Sequence, residues 1–185
     1  MNKFKKSATV LSVLVGTLLL TGTSLAGTNI FLKLDGIQGE STDSQHLNEI
    51  NLLAYSQNVS NGAQINMGGG GGGAKPVCGA VTVVKRVDRA SPALIGDVLT
   101  ARTIKTGIIS FVTAGNQAQS TYSVTLSNIY VTSVVQSDSS GADVVTENVT
   151  LAPQTLLFNY RQIMPNGLLG TPQTFGYDCM SNKVM

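Results

Sequence analysis

Apolar and polar residues alternate with period two along most of the chain. Ile30, Leu32 and Leu34 alternate with Phe31, Lys33 and Asp35, and Asp35-Gly36 supplies a turn. Ile50, Leu52 and Ala54 alternate with Glu49, Asn51 and Leu53; Val81, Val83 and Val87 share one parity, with Thr82 and Arg86 on the other. Ile109 and Phe111 follow Gly107. Tyr122, Val124 and Leu126 alternate with Ser123, Thr125 and Ser127, and the run from Ile129 to Val135 continues in the opposite parity. That switch predicts a bulge or bend near Asn128. Asp138-Ser139-Ser140-Gly141 is turn chemistry; Leu156, Phe158 and Tyr160 form a further run, and Phe175-Tyr177-Cys179 closes the series. Period-two runs of β-branched and aromatic residues, separated by Gly, Ser, Asn and Asp, predict a mostly β fold, an antiparallel barrel or sandwich.

Two segments break the alternation. Ser91-Pro92 reads as an N-cap followed by proline at the first helical position. Leu94, Ile95, Val98 and Leu99 then form a helical stripe suited to closing a barrel mouth, giving one short helix. Between strands ending near Val59 and starting near Cys78, residues 60–76 form a long loop containing Gly68, Gly69, Gly70, Gly71, Gly72 and Gly73. Loops of this length are usually functional or without fixed structure. Two readings follow: a slack linker, or an arm that orders against a neighbouring subunit.

The first 26 residues have the three parts of an export signal: basic Asn2–Lys6, an apolar run of 13 residues from Ala8 to Leu20, and small residues ending in Ser24-Leu25-Ala26. The apolar run is short of the ~20 residues that span a bilayer. Cleavage between Ala26 and Gly27 leaves 159 residues, with no stable membrane span. The expected organisation is therefore a signal peptide, 1–26, and one β-barrel domain, 27–185. Export alters the charge as well. Lys3, Lys5 and Lys6 are three of the 12 basic residues, so the formal charge of +2 becomes −1, nine basic against ten acidic. No basic stripe is left to neutralise phosphates, which excludes a nucleic-acid partner. Only 12% of residues are charged, so little repulsion opposes association with further copies of the chain. Outside the cytoplasm Cys78 and Cys179 form a candidate disulfide; two separate buried thiols are the alternative.

Candidate chemistry is sparse. His46 is the only histidine, and no Gly-x-Ser-x-Gly elbow accompanies it. Two cysteines and one histidine lack zinc-site spacing, so no metal or other cofactor is expected. Gly73-Ala74-Lys75-Pro76 lacks the ending of a phosphate loop. Ten scattered carboxylates single out no acid–base pair. Asn58-Val59-Ser60 and Asn148-Val149-Thr150 match the N-glycosylation triplet, a frequent pattern. An enzyme is not indicated.

Several segments resemble the haemolysin-coregulated protein (Hcp) family, the inner-tube proteins of type VI secretion. Phe31-Leu32-Lys33-Leu34-Asp35-Gly36-Ile37 with Gly39-Glu40-Ser41 resembles that family's opening strand and turn. His46 with Glu49-Ile50, then Val59-Ser60-Asn61-Gly62, is similar to its second strand and the start of its extended loop. Val84-Lys85-Arg86-Val87-Asp88-Arg89-Ala90-Ser91-Pro92-Ala93-Leu94 resembles the strand-to-helix signature, and Phe158-Asn159-Tyr160 and Gly176-Tyr177-Asp178 the closing strands. The resemblance spans nearly all of residues 28–183. It implies a compact β-barrel with one helix, assembling as hexameric rings that stack into a tube. It also implies a structural role without catalytic residues, and partners among secretion-system components or small effector cargo. By position, Asn61 and Gly62 through the six glycines match the family's subunit-interface loop. The export signal, the polyglycine and the cysteine pair depart from the family pattern, so the expected location is secreted or periplasmic; a working secretion tube would instead pass from cytoplasm to exterior. A secreted β-sandwich binding glycans or a host surface is the alternative, though the chain has no Trp and only 5% aromatic residues.

Overall fold

The computed structural model describes residues 27–62, 75–114, 118–138 and 144–185. The leader with Ala26, the glycines Gly68–Gly73 and the Ser139-Ser140-Gly141 turn lie outside them. Among the described residues, eight strands and one helix follow in order: β1 (Thr28–Leu34), β2 (Ile50–Asn61), β3 (Pro76–Arg86), α1 (Ser91–Thr100), β4 (Thr103–Thr113), β5 (Ser120–Ser137), β6 (Thr146–Tyr160), β7 (Gln173–Asp178) and β8 (Lys183–Val184). All pairings are antiparallel.

The sheet runs β3-β2-β1-β4-β5-β6-β7-β8, and β3 also pairs with β6, which closes the first six strands into a barrel. Closure pairs β3 with β6 within the barrel, while β7–β8 and the outer ends of β2 and β3 keep open edges. β6 is the junction strand. β5 covers one of its edges from Tyr160 to Thr146, while the other edge is shared. Thr146–Leu151 pairs with Arg86–Val81 of β3, and Thr155–Tyr160 pairs with Asp178–Gln173 of β7. The strands therefore fork at Ala152-Pro153-Gln154. β2 meets β1 only at Ile50, Asn51 and Leu52, so its outer part continues beyond the barrel with β3 as a two-stranded arm, out to the Asn61–Pro76 pair.

The core is aliphatic: Leu32, Ile50, Val81, Val83, Ile109, Val124, Leu126, Ile129, Val149, Leu151 and Leu156 are all buried. Near the arm, Phe111 packs between Tyr55 and Tyr122 at centroid distances of 5.2 and 5.1 Å. At the opposite end Leu94 of α1 is buried in the core cluster together with Ala90. Gly39 allows the chain to cross directly over the Glu49 carbonyl; a Cβ there would collide with Glu49 and Ile50 backbone. At the start of the barrel, Gly27 O accepts from Ala114 N at 2.9 Å, and Thr28 pairs with Thr113.

The structure departs from the sequence pattern at several positions. β2 does not keep the Ile50–Leu52–Ala54 parity, because a register shift at Leu53 turns Ala54 outward and Tyr55 inward. Asn128 does mark the switch in β5, with φ of 48° between inward Leu126 and inward Ile129. The loop is shorter than 60–76: Ser60, Asn61 and Pro76 are paired strand residues, so Asn61 belongs to the ladder and Gly62 begins the loop. Ser91 is not the N-cap. Ala90 holds that position, and Ser91 is turned into the interior. The inner face of α1 carries Ser91, Leu94 and Asp97, whereas Leu99 is 81% exposed. Finally, Val87 is exposed, and the inward position between Val83 and Val87 belongs to Lys85.

Candidate functional site

Lys85 and Glu147 are both completely buried, at 0% exposure, against a core made mostly of aliphatic side chains. They face each other across the closing seam, where Lys85 pairs with Glu147 in the β3–β6 ladder. Lys85 Nζ donates to Glu147 Oε1 at 2.6 Å, to Asp88 Oδ1 at 2.7 Å, to Arg86 O at 2.9 Å and to Ser91 Oγ at 3.1 Å. The Ser91 hydroxyl donates to the same Glu147 oxygen at 2.7 Å, and Gln136 Nε2 donates to Oε2 at 3.0 Å. Burial alone would raise the Glu147 carboxyl. The hydrogen bonds from Lys85, Gln136 and Ser91, with the Lys85 charge, outweigh it and hold the group below the usual carboxylate range. Every member has partners, the condition under which a buried polar group specifies a structure rather than weakening it.

The knot fixes the corner where β3 turns into α1. Asp88 Oδ1 accepts from Ala90 N at 2.8 Å, and Ser91 Oγ from Asp88 N at 3.1 Å, so Asp88 satisfies the helix start that Ser91 would have capped. Arg89 ties the same corner to the β1–β2 connection through Nε to Gly39 O at 2.6 Å, and Nη2 to Asn48 Oδ1 at 2.9 Å. At the other end of α1, the Arg102 guanidinium makes two bonds to the buried Asp97 carboxylate, at 2.5 and 3.0 Å. The sequence carried one trace of the knot: a Lys on the inward parity of a valine run, with Asp88 three and Ser91 six residues beyond. Glu147 lies outside every run read from the sequence.

The cysteines meet at the fork in β6. Cys78 stands in β3 opposite Val59, Cys179 directly follows β7, and their sulfurs are bonded with the Cα atoms 5.8 Å apart. Cys179 N donates to Gln154 O at 2.9 Å. The Asp178 carboxylate accepts from Ser181 N and Met180 N at 3.0 and 2.9 Å, which holds the turn around Cys179 and keeps Asp178 below its usual range. On the arm, Val59 and Val77 are 59% and 57% exposed, an apolar pair on neighbouring strands.

His46 is not brought to a nucleophile. Its ring lies flat on Phe31, 4.4 Å between centroids, and its Nδ1 is 2.8 Å from Glu49 Oε2. Asn148 of the second glycosylation triplet is paired on both sides within the barrel wall. Among the described residues no three His, Cys, Asp or Glu side chains are grouped to hold a metal ion. No helix among them is long and apolar enough to cross a membrane.

What the geometry defines is a closed antiparallel barrel with one capping helix, a projecting two-stranded arm and its densest polar chemistry sealed inside. The comparisons identify that architecture. The family model for the type VI secretion system effector Hcp matches residues 31–164. The protein hcp1 of Pseudomonas aeruginosa is 31% identical over 156 residues, covering 83% of this chain and 96% of the relative. The crystal structure of Hcp1 from Salmonella typhimurium superposes with a TM-score of 0.69 at 28% identity, over 87% of this chain and all of that one. A structure described as that of a type six secretion system protein reaches a TM-score of 0.81 at 23% identity, over 86% and 100%. The chain belongs to the Hcp family. None of these comparisons favours a glycan-binding sandwich.

Proposed function

We propose that the chain is an exported structural subunit of the Hcp type, whose activity is to assemble with copies of itself. It is cleaved between Ala26 and Gly27, closes the Cys78–Cys179 bond outside the cytoplasm, and forms six-membered rings that stack into tubes. Secretion-system components or small effector proteins are its further partners. The observation that carries this reading is the family match, which extends over the barrel, the knot and the arm-bearing strands. The surface suits it too: few charges need be desolvated on contact, and an uncompensated buried charge is what most opposes association. The arm, with its exposed Val59 and Val77, is the element that reaches a neighbouring ring or subunit.

Mass spectrometry of the N-terminus after cell fractionation, with light scattering and electron microscopy of the purified chain, tests both halves. A periplasmic or secreted product beginning at Gly27 and assembling into rings is the expected result. A cytosolic product beginning near Gly27 would overturn export, and a strictly monomeric species at high concentration would overturn assembly.

A further inference from the structure

The disulfide occupies one particular place in the topology. Up to the Gln57–Val81 pair, β3 is held on both sides, by β2 and by β6. Beyond it, no third strand pairs with Asn58–Asn61 or Pro76–Ala80, and Cys78 is the ribbon residue that packs against the core. The ladder there is interrupted by a register shift between Gln57 and Val59. A lone two-stranded ribbon is marginal in water. No strand of the barrel pairs with this ribbon; besides the continuous β2 and β3 backbones, the Cys78–Cys179 cross-link ties it to the barrel body. Cys179 in turn is anchored at the fork, through its N–H to Gln154 O and through the Asp178 turn. Both cysteines are only partly buried, and a surface cavity of about 480 Å³ opens on Cys179 between Tyr130, Pro153 and Met180. Small thiols and disulfides can therefore reach the bond.

We infer that the Cys78–Cys179 bond is a redox clasp on the arm: its formation sets the arm rigidly on the barrel and thereby permits assembly, and its reduction releases the arm while the barrel stays closed. Closure is a thiol–disulfide exchange. The two thiols lose two protons and two electrons, and a dithiol-type oxidant receives them as its own disulfide is reduced to two thiols. A chain still in a reducing compartment thus carries a loose arm and does not assemble before export. The inference rests on the self-assembly reading and concerns its control. Holding a binding element in its docked geometry strengthens association by removing the ordering cost at contact.

The experiment compares the full chain oxidised with glutathione disulfide, the same chain reduced with dithiothreitol, and the Cys78→Ser/Cys179→Ser variant. Hydrogen exchange read by mass spectrometry reports the arm, and light scattering reports assembly. The expected result is at least tenfold faster exchange in Asn58–Asn61 and Pro76–Ala80 in the reduced and double-serine forms, unchanged protection in β4, β5 and Val81–Arg86, and at least tenfold weaker association. Equal assembly in all three forms overturns the clasp and leaves the self-assembly reading standing. Faster arm exchange with no assembly in any form overturns both. Loss of protection throughout the barrel on reduction overturns the clasp by making the bond a staple of the whole fold.

Discussion

Lys85 occupies a position that a valine would fill in a simpler barrel. It is held there by four hydrogen-bond acceptors, one of them the equally buried Glu147 carboxylate. Removing one charge from such a pair strands the other, which costs about 3–5 kcal/mol, whereas replacing both by apolar side chains of similar volume is often neutral. Lys85→Met alone is therefore expected to lose stability on that scale, and Lys85→Met with Glu147→Leu to recover most of it, as urea denaturation would measure. The same pair shows where sequence reading stops at this scale. The parity of Val81 and Val83 placed position 85 inward, but alternation cannot name the partner of an inward charge. That partner is 62 residues away, brought opposite by the closure of the seam. Ser91 departs from its pattern for a related reason: a Ser-Pro dipeptide has local capping chemistry, and a tertiary acceptor, Glu147, claims its hydroxyl instead.

Individual elements were legible wherever local chemistry decided them. The parity change across Asn128 foretold the kink in β5, because a side chain that tolerates positive φ stood where two alternations met. The first half of β6 is hidden in the sequence because Glu147 interrupts its apolar alternation with Val149 and Leu151. In α1 the apolar stripe overran the buried face, since Asp97, held by Arg102, takes an inward place that Leu99 does not. The helix ends at Ala101, which adopts φ of 52° as the C-cap. A left-handed conformation costs a residue with a Cβ roughly 1–2 kcal/mol, and glycine is free of that penalty. Ala101→Gly should accordingly stabilise the chain by about 1 kcal/mol, a rise of about 2–4 °C in the thermal midpoint. Scanning calorimetry would check it, with no change in far-ultraviolet circular dichroism expected.

For the molecule as a whole, the knot links three things at once: the seam β3–β6, the end of β5 through Gln136, and the start of α1 through Ser91. The protonation state of Glu147 is thereby coupled to global unfolding. Its carboxyl lies below the ordinary value in the folded chain, so the folded state favours the charged form. The corresponding stability is fully present above the unfolded-state value of about 4.3, and is lost as pH falls through the lower folded-state value. Urea unfolding between pH 7 and pH 2.5 should show a loss of stability in the acid range, and Glu147→Gln should flatten that part of the curve. At this scale barrel closure and the helix lid were anticipated in outline, while the forked edge of β6 was not. Nothing in a linear pattern says that one strand will lend the same edge to two others in succession.

The bond from Ala114 N to Gly27 O leaves no slack between the proposed cut site and the first rung of the barrel. Gly27 and Thr28 are exposed yet already bonded to Ala114 and Thr113, so in the finished barrel a peptidase would have to compete with β4 for that backbone. On the proposed export route, cutting would therefore come before folding: the polypeptide would pass the membrane as an open thread, lose its leader, and only then zip Thr28 onto Thr113.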